Sequence, residues 1–103
     1  MQRLKKALTL SYDDGVESDK KLLEILNKYN IRCTFNLNSG IQTYENYWNN
    51  KGFDVHRMDP DNLKQLYAGH EIAIHGTKHL WPSKIEDEAG LKAEFFDDII
   101  TLE

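Results

Sequence analysis

Ala7-Leu8-Thr9-Leu10-Ser11-Tyr12-Asp13-Asp14-Gly15 decides how the rest of this chain is read. An apolar run rich in strand formers stops abruptly at two adjacent carboxylates and a glycine. Glycine after a strand accepts backbone angles that other residues resist, so the chain can turn sharply and aim both acids into one space. Two neighbouring carboxylates repel and lose hydration unless a positive group sits between them or one of them is protonated. A metal ion is the commonest reason to build such a pair. The plainer reading is a turn whose acids face water, and the motif taken alone favours it.

Working outward, Leu8 to Tyr12 form the first expected strand. Ser18 reads as an N-cap with Asp19 in the first turn, where the helix dipole favours an acid. Leu22, Leu23, Ile25, Leu26 and Tyr29 follow at helical spacing, and Asn30 is a left-handed stop. Ile31 to Leu37 is a second strand, ending in Asn36, Asn38, Ser39 and Gly40. From Ile41 to Met58 no period is visible. Tyr44, Tyr47, Trp48, Phe53 and His56 scatter there among asparagines, as in a packed functional loop or a surface flap pinned by its own aromatics. Asp59-Pro60 opens the next helix, with Leu63, Leu66 and Tyr67 on its buried side and Gly69 at its end. His70 to Ile74 is the third strand and runs into His75-Gly76-Thr77-Lys78-His79. Ser83 to Glu86 matches a capping box. Leu91, Phe95, Phe96, Ile99 and Ile100 stripe a last helix that is still running at Glu103.

Composition narrows the function classes. The chain has 103 residues, enough for one domain, with 40% apolar and 29% charged residues as in ordinary soluble globular proteins. A net charge of −4 makes no electrostatic case for nucleic acid. No apolar run approaches a membrane span. Met1 to Lys6 is basic but lacks a signal-peptide core, which implies a cytoplasmic chain or one whose leader has been removed. Cys33 stands alone in an apolar strand pattern and reads as a core residue.

Strands alternating with helices imply right-handed crossovers and a parallel sheet. In such folds the chemistry sits beyond the carboxyl ends of the strands. Those ends carry Asp13 and Asp14, Asn36 and Asn38, and His75 and His79. His75 and His79 with one or both acids make a two-histidine, one-carboxylate set that suits zinc, and also cobalt, manganese or iron. Open coordination positions mark such a set as catalytic rather than structural. His56 and His70 have nothing to place them near it.

At this point the residues resemble a known family. Leu10 to Gly15 is similar to the first motif of the polysaccharide deacetylases (the NodB-homology domain, carbohydrate esterase family 4). Thr34-Phe35-Asn36-Leu37-Asn38 is similar to its second-strand segment, and Gly69 to His79 to its second motif. The resemblance implies a distorted (β/α) TIM-like barrel that removes acetyl groups from N-acetylated sugars with a divalent metal. Asp13 would be the general base; Asp14, His75 and His79 would hold the metal, most often zinc, with cobalt or manganese as alternatives. The oxyanion donor would be a backbone N–H such as that of Tyr44.

Two departures from the family follow. Where it usually has Ser or Thr directly after the first histidine, this chain has Gly76, with Thr77 one place later. Its later motifs also supply an arginine, part of the groove and a general-acid histidine, and nothing after His79 stands for them. The resemblance therefore implies that residues 1–103 are the N-terminal part of one catalytic domain, a truncated barrel. The inner faces contributed by Leu8, Leu10, Phe35, Ile72 and Ile74 would lack their opposing layer, so self-association or contact with a missing half is expected. The partner implied is a carbohydrate, with no nucleic acid and no membrane. A non-catalytic carbohydrate- or metal-binding module is the alternative. An iron oxygenase fits the donor set but not the alternating strand-helix order. A phosphoacceptor domain would need an acid where His75 stands.

Overall fold

The computed structural model describes residues 5–61 and 63–102. The basic residues before Lys5, Asn62 and the expected run of the last helix into Glu103 lie outside them. In chain order the elements are β1 (Ser11–Asp13), α1 (Asp19–Lys28), β2 (Thr34–Leu37), β3 (Tyr47–Asn50), β4 (Phe53–His56), α2 (Leu63–Leu66) and β5 (Glu71–Ile74). A 3₁₀ turn (Pro82–Lys84) follows. The last helical segment is α3 (Glu88–Leu91), a π turn (Lys92–Phe96) and α4 (Asp97–Leu102).

β1, β2 and β5 form one parallel sheet in the order β1-β2-β5. The alternating strand-helix reading is therefore met by a mixed α/β fold with a parallel sheet, open at β1 and β5 among the described residues. Its register sorts the side chains by face. Tyr12, Phe35 and Ile72 share one row and Leu37 and Ile74 another, while Ser11, Thr34 and Glu71, then Asp13, Asn36 and Ala73, make the rows between them. Alternation along each strand puts the first set on one face and the second on the opposite one. The apolar face carries the core: Phe35 and Leu37 pack with Leu23, Leu26, Cys33, Met58 and Tyr67, all buried.

This corrects the expectation of bare apolar inner faces. Phe35 is fully buried, and Leu10 and Ile72 pack against the core, because the helices cover the apolar face. The uncovered face is polar and satisfies itself: Thr34 Oγ1 donates to Glu71, and Asn36 Nδ2 donates to Ser11 Oγ and Asp13. Leu8 is exposed because the strand begins at Ser11, three residues later than expected. Ile74 is exposed as well.

Helix α1 forms where its spacing predicts, and Asn30 takes the left-handed conformation (φ 54°). Ser18 makes no side-chain cap bond. The buried face is narrower than the apolar stripe: Leu23 and Leu26 are buried with Asp19, while Ile25 and Tyr29 are exposed. Residues 19, 22, 23 and 26 are the i, i+3, i+4, i+7 set that faces the sheet. In that face the Tyr67 hydroxyl donates to Asp19 Oδ2 at 2.8 Å. Burial pushes the Asp19 carboxyl up from 3.8 to about 6; the Tyr67 bond opposes this and the charge of Asp14 adds to it. The native state thus holds the Asp19 proton more tightly than the unfolded chain. Its stabilising contribution is full below pH 3.8 and is lost as pH rises through about 6. In metal-free protein, Asp19→Asn gains stability relative to the parent between pH 4 and 7.5, by on the order of 2 kcal/mol. Urea melts at the two pH values measure it, and a pH-independent difference would refute it.

The aperiodic stretch after β2 contains an antiparallel hairpin, β3 with β4. Lys51 and Gly52, both at positive φ (52° and 91°), make its two-residue turn, the geometry that matches strand twist. Its aromatics pin it: the His56 ring is stacked on Tyr44 at 4.0 Å and on Tyr47 at 4.8 Å. The surface-flap reading describes this stack. Asp59, the expected cap of α2, accepts from Thr43 Oγ1 and the Tyr44 N–H.

The end of the chain departs most from its periodicity. Ser83 to Glu86 forms no capping box; Asp87 is the N-cap of α3 and accepts from the Gly90 N–H. The striped face of the last helical segment is not the buried one. Leu91, Phe96, Ile99 and Ile100 are exposed, and Glu94 and Asp98 are buried. The π turn adds a residue to the helical register and so rotates the face presented downstream. No described helix is long and apolar enough to cross a membrane.

Candidate metal centre

The first strand delivers the acids through an unusual turn. Asp14 (φ 79°) and Gly15 (φ 56°) are consecutive left-handed residues directly after β1. The Asp14 N–H donates to Asn36 O at 2.9 Å and its carbonyl accepts from Arg57 at 2.8 Å. A non-glycine residue held in this region costs energy and is characteristic of functional sites. His79 is left-handed too (φ 60°).

That turn brings Asp14 to the histidines beyond β5. Asp14 Oδ1 lies 3.4 Å from His75 Nε2 and 3.3 Å from His79 Nε2. One ligand atom from each of the three residues falls within 4.8 Å of the others. The two imidazoles meet edge to face, 4.6 Å between centroids. Asp14 Oδ1 is buried and has no hydrogen-bond partner. A buried carboxylate oxygen rarely stays unpaired. Donors around one tetrahedral zinc at ordinary bond lengths stand about 3.4 Å apart, which matches the two oxygen-to-nitrogen separations. The donor set therefore fits a divalent cation. His79 and Asp14 keep partial exposure (40% and 26% of the side chain), so solvent reaches the point between them.

Asp13 stands beside this set rather than in it. Its Oδ1 accepts from Asn36 Nδ2 at 2.9 Å, its Oδ2 is 4.0 Å from His75 Nε2, and it is more than half exposed. Asn36 and Asn38 reach the same rim but serve as braces. Asn38, fully buried, donates through Nδ2 to His75 O at 2.6 Å and Gly76 O at 2.7 Å. His70 bonds to the Cys33 N–H and Asn27, and His56 to Tyr44 O, so both stay apart from the site as expected. The Tyr44 N–H is already given to Asp59 Oδ1 at 2.8 Å, which argues against it as the oxyanion donor.

Three supporting residues escaped sequence reasoning. Arg57 is buried under the Trp48 ring and donates from one nitrogen to Asp14 O and to Asn38 Oδ1, each at 2.8 Å. Asp98, fully buried, accepts from the Ser39 N–H at 2.8 Å and the His75 N–H at 3.1 Å. Glu94 accepts from Lys78 and Leu80 on either side of His79. Arg57 falls in the aperiodic stretch and carried no signal; the i, i+4 spacing of Glu94 and Asp98 was the one hint of a shared polar face.

Residues 1–98 match the family model described as polysaccharide deacetylase. The chain belongs to that family. No curated protein and no solved structure matches it. As a polysaccharide deacetylase it falls among hydrolases of acetylated carbohydrates, a family generally dependent on a metal. The match takes in both acids, both histidines and the buried carboxylates of the last helical segment. An open pocket of about 330 Å³ adjoins the histidines, lined by His75, Gly76, His79, Leu80, Trp81 and Phe95 among others.

Proposed function

We propose that this chain carries the metal-binding and base residues of a hydrolase that removes acetyl groups from N-acetylated sugar polymers. The observation that carries the reading is the approach of Asp14, His75 and His79 around an unpaired buried oxygen, with Asp13 beside the set and outside it. Asp14, His75 and His79 would hold the cation, and two nitrogens with one carboxylate favour zinc, with cobalt or manganese as alternatives. Such a cation polarises the acetamide carbonyl and lowers the pKa of a bound water.

The chain's own residues supply the remainder. Asp13 takes the proton from the attacking water, and Asn36 holds its carboxylate in place for that transfer. The pocket beside the histidines admits the acetyl group, with Leu80 and the exposed Trp81 offering apolar surface to the methyl and the sugar face. As part of the same reading, residues 1–103 form the N-terminal part of one such domain. The three-stranded sheet, with both edges unpaired among the described residues, supports this. Its partner is the remainder of the domain or a second copy, and sedimentation at micromolar concentration tests which.

The direct test is the zinc content of this chain together with acetate release from a chitin oligosaccharide by the domain completed with its remaining part. One zinc per chain is expected, with loss of zinc in His75→Ala and in His79→Ala. Unchanged zinc in both variants would sink the assignment. Zinc binding without acetate release by the completed domain would favour the non-catalytic binding module.

A further inference from the structure

Glu94 is 2% exposed, on a helical segment whose Leu91, Phe96, Ile99 and Ile100 are exposed. Its two carboxylate oxygens are both used, and on the same loop. Oε1 accepts from the Lys78 N–H and Oε2 from the Leu80 N–H, each at 2.6 Å. The residue between those two N–H groups is His79, whose backbone is left-handed. A turn of that hand brings successive N–H groups round to one side, where one anion can take both. Charge-assisted bonds of this length are about twice as strong as neutral ones. For any residue but glycine this conformation carries a steric cost, which these bonds offset.

The surroundings of Glu94 point the same way. Thr77 ties its loop to the helical segment, donating its N–H to Glu94 O at 2.7 Å and its hydroxyl to Ala93 O at 2.7 Å. These two carbonyls lie in the π turn. A Cβ at Gly76 would stand 2.8 Å from Glu94 Oε2 and 3.1 Å from its Cδ, and Gly76 is itself at φ 86°. A side chain at position 76 would displace the carboxylate from the loop.

We propose that Glu94 is a positioning residue for His79: its carboxylate straddles the histidine, imposes the left-handed turn and so aims Nε2 at Asp14 Oδ1. Gly76 is glycine to admit it. The departure from the family at position 76 is thereby explained: the hydroxyl after the first histidine gives way to a carboxylate reaching in from the helix. The inference rests on the metal-site reading above.

Glu94→Gln keeps the shape but replaces one acceptor with an amide NH₂, which cannot take an N–H. Zinc affinity, measured by chelator competition, falls about 10–100-fold. The visible spectrum of the cobalt-loaded variant changes at saturating metal, which a loss of general stability would not produce in folded protein. An unchanged zinc Kd and an unchanged cobalt spectrum overturn the proposal while leaving the metal site standing. Absence of zinc binding by the parent chain overturns the metal-site reading and this inference with it. A second measurement needs no variant. Coupling between two events is reciprocal, so zinc slows hydrogen exchange at the Lys78 and Leu80 amides of the parent chain. Exchange there that is indifferent to zinc overturns the proposal, including where Glu94→Gln does not fold.

Discussion

In the complete domain, Asp13→Asn lowers acetate release by about 10²–10⁴-fold, the usual cost of removing a general base, and leaves zinc in place. Asp14→Asn loses zinc first and activity as a consequence. The two acids are neighbours in sequence, and in the proposed reading the backbone between them separates their functions. Asp13 is the last residue of β1, in extended conformation on the polar face, in the same row as Asn36. Asp14 is left-handed, so its carboxylate swings from that row toward His75 and His79. Asparagine at 13 keeps an oxygen for Asn36 Nδ2 but cannot take a proton from water. Asparagine at 14 keeps an oxygen near the histidines but not its charge, and a neutral amide is a poor zinc ligand. Zinc content and acetate release measured on the same preparations separate the two cases. The opposite pattern would mean that the roles are exchanged.

What was legible in the sequence was whatever depends on neighbours along the chain. The end of β1, the course of α1, the stop at Asn30 and the polar character of the strand ends follow from local spacing, and the structure places them as read. Asp14, His75 and His79 could be grouped because a parallel sheet brings its carboxyl ends to one rim. What was not legible depends on partners far along the chain. Arg57 had no pattern to mark it, since its use comes from Asp14 and Asn38, forty-three and nineteen residues away. The last helical segment was misread for a related reason. A stripe of Leu91, Phe95 and Ile99 reports the amphipathic face of a regular helix. The π turn and the N–H groups of residues 39, 78 and 80 instead favour the side that carries Glu94 and Asp98. The hairpin was missed because its strands are held by stacked rings and a two-residue turn rather than by alternation of apolar and polar residues.

Arg57→Ala costs about 3–5 kcal/mol of stability, the range for removing one partner from a buried charged network. The guanidinium is 6% exposed. Burial pulls its pKa down and the charge of Asp14 opposes that, while an arginine keeps its proton in any protein environment. A buried permanent charge is tolerated because its surroundings answer it: Asp14 O, Asn38 Oδ1, the Asp14 carboxylate at 3.7 Å and the Trp48 ring. Alanine removes the donor from Asn38, which is wholly buried, and leaves an unpaired oxygen there at the usual desolvation cost. It also frees the Asp14 carbonyl, removing one of the hydrogen bonds that hold the left-handed turn, and withdraws the support under Trp48. Stability of small domains is about 5–15 kcal/mol in total, so the loss is a large share of it. The urea midpoint is expected to fall by about 2 M. Arg57→Lys restores little of this, because a single ammonium lacks the planar fork that serves two acceptors and a ring together. A loss below about 1 kcal/mol in Arg57→Ala, or recovery of the parent midpoint in Arg57→Lys, would show that the acid turn holds its shape without the guanidinium.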